Sequence, residues 1–134
     1  MANSKQKVYS DYSQCPPVLK EFLYYMQTIK GLSPKTVEAY FIDLQLFFKY
    51  MVQKRNGTID NELINEVKID NIDLEFLSQI KQMDILDFLY FITDKRENSV
   101  AARSRKISSL RNYFRYMTTK TSQLSVNPTE NIEM

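Results

Sequence analysis

Apolar residues recur at three- and four-residue intervals in five segments of the chain, and most of these segments are bounded by residues that start or stop helices. Pro16 and Pro17 open the first, where Val18, Leu19, Phe22, Leu23, Met26 and Ile29 form a stripe that Gly31 ends, so the spacing predicts a helix over 17–30. Ser33 and Pro34 open the second: the hydroxyl caps a backbone N–H, and proline fills the first helical position, where its missing N–H costs nothing. From there Val37, Tyr40, Phe41, Leu44, Phe47, Phe48, Met51 and Val52 keep helical spacing for five turns, to about Arg55, with Asn56 and Gly57 as the stop. Residues 57–73, GTIDNELINEVKIDNID, alternate β-branched residues loosely with acids and read as a connector holding one short extended or helical piece. Leu74 to Ile80 makes two helical turns. Asp84 then begins a helix through Ile85, Leu86, Phe88, Leu89 and Ile92, closing near Glu97, and Asn98 and Ser99 cap a last helix to Lys120. The stripe of that helix is Val100, Ile107, Leu110, Phe114 and Met117. Two glycines and four prolines in 134 residues, with little strict alternation, make the class all-α: a compact bundle of four main helices plus a short one.

The last helix carries a second message. Around its apolar stripe lie Arg103, Arg105, Lys106, Arg111, Arg115 and Lys120, with no Asp or Glu between Ser99 and Lys120. A helix with an ordinary solvated face intersperses acids, because opposite charges at i,i+4 each add a few tenths of a kcal/mol. Forgoing all such pairs suits a polyanion, and a nucleic-acid backbone is the natural one. The net charge of +2 hides this polarity. Residues 1–56 hold eight Lys/Arg against four Asp/Glu, residues 57–98 four against ten, and residues 99–134 six against two. If the two basic segments share a face, the domain has a positive front and a negative back, which orients it on DNA by long-range attraction.

Composition removes most enzymatic readings. There is no histidine, so His-based acid–base work, His-ligated metals and serine or cysteine triads are excluded. Gly31 and Gly57, the two glycines, match no phosphate-binding loop. Asp70, Asp73 and Glu75 lack the spacing and the glycine of a calcium loop and read as a solvated connector, so neither metal nor cofactor is expected. The aromatic groups Phe88, Tyr90, Phe91 and Tyr113, Phe114, Tyr116 have the chemistry to stack on bases, but helical spacing makes most of them core. Cys15 stands alone, as in a reducing compartment. With no signal-peptide core and no run of eighteen apolar residues, a soluble cytoplasmic protein with no membrane partner is expected.

With these residues placed, the chain resembles the N-terminal core-binding domain of the tyrosine recombinase (phage integrase) family, Xer-like members above all. GLSPKTVEAYFIDLQLFFKYM matches the family's short turn, Ser, Lys-Thr pair, a Tyr four residues on, and Asp-Leu before paired aromatics. RSRKISSLRNYFRYM matches its arginine, basic residue, aliphatic, Ser, small residue, Leu and Arg before an aromatic pair. The resemblance runs over roughly residues 18–130, including the closing VNPTENIE, which looks like the passage into a catalytic domain.

The resemblance implies a SAM-like fold that clamps duplex DNA from the side opposite the catalytic domain, using the starts of the second and last long helices. Carried over residue by residue, Lys35 and Thr36 on the earlier helix approach double-stranded DNA, as do Arg105, Lys106 and Ser109 on the later one, with Arg103 and Arg111 as flanking phosphate contacts. Residues 1–15, polar and without period, read as a flexible arm; the core-binding domain takes 16–120, and 121–134 returns to loop composition, a linker toward the catalytic domain that the resemblance implies. The expected partners, besides DNA, are the catalytic domain of the same parent chain and other protomers of a tetrameric synapse. The family's catalytic Arg, Lys, His-x-x-Arg element and nucleophilic Tyr belong to a domain not found here, so this chain by itself is expected to be no enzyme. A tyrosine without its arginines and histidine leaves the charge of the transition state unstabilised. The rival expectation is a helical protein-interaction module whose basic helix meets an acidic partner or a second copy.

Overall fold

A computed structural model describes residues 8–13 and 15–133. Among them the regular structure is helical throughout: α1 (Pro17–Thr28), α2 (Pro34–Arg55), a 3-10 turn (Ile64–Glu66), α3 (Leu74–Ser78), α4 (Gln82–Asp94), α5 (Val100–Arg115) and a π-helical turn (Tyr116–Lys120) that continues α5. The all-α class and the count of four main helices plus a short one hold. Among the described residues no helix is long and apolar enough to cross a membrane.

Helix ends follow local chemistry. Ser33 accepts the Thr36 N–H at 3.2 Å and Ser99 the Ala102 N–H at 3.1 Å, so both long basic-flanked helices start on a serine cap. Gly31 and Gly57 stop α1 and α2 at φ of 66° and 90°, left-handed values at which a side chain would be strained. The helix expected from Asp84 begins two residues earlier, at Gln82, because the Asp84 carboxylate reaches back 2.8 Å to the Lys81 N–H as an N-terminal cap. It also closes early, at Asp94 rather than near Glu97, where Glu97 turns left-handed at φ 50°.

The core is aromatic. Phe22 and Phe48 pack edge-on to Tyr113 at centroid distances of 5.2 and 5.7 Å, and Phe47 meets Phe88 at 5.2 Å and Phe114 at 6.3 Å. One network thus joins α1, α2, α4 and α5, each edge-to-face pair adding roughly 0.5–1.5 kcal/mol beyond its buried area. Tyr113 is fully buried and donates to the Val18 carbonyl at 2.8 Å, and burial holds its phenol well above the usual range. Of the rings considered for base stacking, Phe88, Phe91, Tyr113, Phe114 and Tyr116 are core and Tyr90 is exposed. Val100 and Ile29, expected in the apolar stripes, are both 69% exposed, Val100 as the first residue of α5 and Ile29 just past the last residue of α1.

Segments expected to be loose are partly packed. Within the arm expected over 1–15, residues 1–7 and 14 lie outside the described residues, but Tyr12 is buried against Phe41, and the Tyr9 hydroxyl donates to the Leu32 carbonyl. The connector after α2 buries Ile64, Ile69 and Ile72, and Gln53 clamps Asp60 through two 3.0 Å bonds. Of the stretch expected as a linker over 121–134, residue 134 lies outside the described residues, and the rest folds back on α5, burying Leu124, Thr129 and Ile132. In each case scattered single apolar residues, which carry no period, find a gap left between helices.

Candidate nucleic-acid interface

Asp43 is a carboxylate at 1% exposure on the inward side of α2, and α5 is built to satisfy it. Arg105 grips it as a fork, Nη2 to Oδ1 at 2.7 Å and Nε to Oδ2 at 3.1 Å, while Ser109 donates to Oδ2 at 2.7 Å. Lys106 Nζ stands 3.9 Å from Oδ1. A buried carboxylate with several charge-assisted bonds is tolerable where a bare one is not, since an unpaired charge is penalised by several kcal/mol. The same bonds raise the already high pKa of the Arg105 guanidinium.

The pairing spends only one edge of Arg105. Its side chain is 54% exposed, and two of its five N–H donors serve Asp43. The outer edge faces a cavity of ≈ 390 Å³ whose lining includes Ser33, Lys35, Thr36, Tyr40, Arg105 and Ser109, and no carboxylate. Two helix starts far apart in sequence are thereby brought to one concave surface. Lys35 and Thr36 are exposed on the first turn of α2, where the helix dipole favours an anion. Thr36 shares its hydroxyl with Ser33 at 3.0 Å.

The other sequence-assigned residues sit differently. Lys106 and Ser109 are 8% and 3% exposed and point at Asp43 rather than outward. Burial lowers the Lys106 ammonium pKa, with Asp43 opposing and Arg105 and Arg96 assisting. Arg103 donates to the Asn98 carbonyl at 3.0 Å, closing the turn into α5. Arg111 lies elsewhere on the helix and donates to the Ile132 carbonyl, pinning the C-terminal stretch. So Lys35, Thr36 and Arg105 share the concavity outwardly, Ser109 and Lys106 support it from below, and Arg103 and Arg111 are held by backbone carbonyls.

Two residues were missed from sequence. Asp43 follows Tyr40 by three positions and precedes Phe47 by four, so it sits on the apolar face of α2, and an acid there needs a basic partner. The acid-free helix α5 was that partner. Asn112 donates to the Tyr40 hydroxyl at 2.9 Å and ties α5 to α2 at the rim of the concavity; nothing in the spacing marked it.

Comparison with known proteins adds the lineage. The chain matches the family described as phage integrase, N-terminal SAM-like domain, over residues 19–121. It is 35% identical over 129 residues to the tyrosine recombinase XerC of Caldanaerobacter subterraneus subsp. tengcongensis, an alignment covering 96% of this chain and 36% of that protein. With the tyrosine recombinase XerC of Herpetosiphon aurantiacus the identity is 27% over 115 residues, 86% of this chain and 31% of the relative. The tyrosine recombinase XerD of Listeria monocytogenes serotype 4b is 30% identical over 102 residues, 75% of this chain and 28% of its own length. The chain spans about a third of the length of the curated relatives it matches. No solved structure matches it.

Proposed function

The chain belongs to the phage integrase N-terminal, SAM-like domain family, and from that premise we propose that it binds duplex DNA as the clamp half of a site-specific tyrosine recombinase. The observation that carries this reading is the placing of Lys35 and Arg105 on one concavity without a carboxylate in its lining. Lys35 and the outer edge of Arg105 take backbone phosphates, and Thr36 adds a hydroxyl at the dipole-positive end of α2. Asp43 fixes the plane of the guanidinium, and Ser109, at 2.7 Å, positions Asp43. Arg103 and Arg111 act through the backbone they brace.

In this reading the strand-transfer chemistry comes from a catalytic domain of the same parent chain, and neighbouring protomers complete a tetrameric synapse on paired sites. The DNA is held from one side by this domain.

The test is fluorescence anisotropy of a labelled duplex over a salt series. The double variant Lys35→Ala, Arg105→Ala should bind at least tenfold more weakly, and its slope of log K against log salt should be shallower by about 1.8, two phosphates at about 0.9 each. Lys35→Ala alone, an exposed site that leaves Asp43 paired, should remove about half of that slope. Affinity and slope unchanged in both variants would sink the reading. Self-association by light scattering with no duplex binding is the outcome required by the rival, a helical protein-interaction module.

A further inference from the structure

The last turn of α5 is wound as a π-helix: the Thr121 N–H reaches the Tyr116 carbonyl, five residues back, at 3.0 Å. Threonine hydroxyls favour the wide turn by occupying carbonyls around it, Thr118 on Phe114 at 2.8 Å and Thr119 on Arg115 at 2.7 Å. The winding has a consequence for charge. In an α-helix, residues five apart point about 140° away from each other; a wider π-turn, closed by i→i+5 bonds, brings them much closer in direction. Arg115 and Lys120 are such a pair. The wide turn swings Lys120 toward α1, where its Nζ stands 5.9 Å from the centre of the Tyr25 ring, within cation–π range.

Lys30, just past the end of α1, completes the group. Lys30, Arg115 and Lys120 line one cavity of ≈ 160 Å³ with Tyr25 and Asn112, and its lining also lacks a carboxylate. All three cations are exposed, and among the described residues none has a carboxylate within ion-pairing distance. This cavity adjoins the Lys35–Arg105 concavity: Tyr40 lines one, Asn112 lines the other, and the 2.9 Å bond between them is the saddle. Arg105, Ser108, Asn112 and Arg115 follow at three- and four-residue intervals along one face of α5, and the ten residues from Arg105 to Arg115 span about 15 Å.

We propose that Lys30, Arg115 and Lys120 form a second phosphate-binding patch, continuing the DNA track across the Tyr40–Asn112 saddle, so that one backbone is held at two places along α5. This rests on the duplex-binding reading above and extends it by about four base-pair steps, at 3.4 Å of rise per step. Sequence preference is not involved, since point cations at a backbone carry none. The π-turn is what makes the patch, because regular winding would direct Lys120 away from Arg115.

The experiment compares wild-type protein, the Lys35→Ala, Arg105→Ala variant and the triple variant Lys30→Gln, Arg115→Gln, Lys120→Gln on one labelled duplex over a salt series. Circular dichroism melts confirm folding of all three. The triple variant should flatten the salt slope by about 2.7, three phosphates at about 0.9 each, equally on unrelated sequences. A second measurement shortens the duplex stepwise: wild-type affinity should drop at a length to which the triple variant is indifferent. If wild-type protein binds, the first variant weakens it and the triple variant keeps the wild-type slope, the second patch is wrong and the first reading survives. If wild-type protein does not bind duplex at low salt, both fall.

Discussion

Arg105 and Asp43, 62 positions apart, meet as a two-bond fork at 2.7 and 3.1 Å that joins the exposed face of α5 to the buried face of α2. The pair makes the position of a surface cation depend on the interior. A fork accepts only one orientation of the guanidinium plane, so burying Asp43 fixes where the outer N–H groups point.

Asp43→Asn separates charge from position. It removes a negative charge beneath a basic surface, so Coulomb attraction alone predicts tighter DNA binding. The positioning role predicts the reverse, because the amide keeps one acceptor oxygen where the carboxylate had two, and the two-bond fork to Arg105 is lost. We expect weaker binding together with a loss of about 2–3 kcal/mol of stability by urea unfolding. Tighter binding by the folded variant would remove Asp43 from any positioning role.

Lys106→Met should be nearly silent. Lys106 is buried and only 3.9 Å from Asp43 at its nearest, so the ion pair is weak and the desolvation large. Stability should change by no more than about 1 kcal/mol, in either direction. The sign of its pH dependence is fixed: burial lowers its folded pKa below the ordinary 10.5, so as pH rises between the two values the unfolded chain holds the extra proton and stability increases. The methionine variant lacks that increase. Unfolding curves of the two proteins that run parallel throughout that interval would contradict the assignment.

Alkaline pH should unfold the domain through its tyrosines. Burial, with Glu38 beside Tyr12 and Glu21 beside Tyr116, pushes both phenols up to about 12 from an ordinary 10.0. Below pH 10.0 both are neutral in either state and their contribution is intact. Between 10.0 and about 12 the unfolded chain ionises first, so stability falls as pH rises. Tyrosinate absorbance should therefore rise together with loss of helical circular dichroism, and Tyr116→Phe should shift the transition upward. If Tyr12→Phe or Tyr116→Phe removed an ionisation near 10.0 from the titration of the still-folded protein, the idea would be refuted.

Glu97→Gly should stabilise. Glu97 occupies the left-handed region at φ 50°, between α4 and the start of α5, where glycine is the residue without strain. A gain of about 0.5–1 kcal/mol in thermal or urea unfolding is expected, and a loss of that size would mean that the Glu97 side chain supports the turn.

What the sequence determined was local. Apolar spacing and serine, proline and glycine punctuation set the helices of α1 and α2 almost to the residue, because caps and backbone strain act within one turn. The absence of acids from Ser99 to Lys120 marked the basic helix for the same reason: charge composition is a property of the segment alone. Which cations face outward was decided only by tertiary structure. Lys106 and Ser109 differ from Arg105 by one and four positions, yet Asp43, from another helix, draws two inward and leaves one edge of the third in solvent. The packing of Tyr12, Leu124 and Ile132 was likewise invisible, since a lone apolar residue has no period and is buried only where other helices leave a gap. Burial of a charge is set by the partner across the interface, and that partner lies dozens of residues away in the chain.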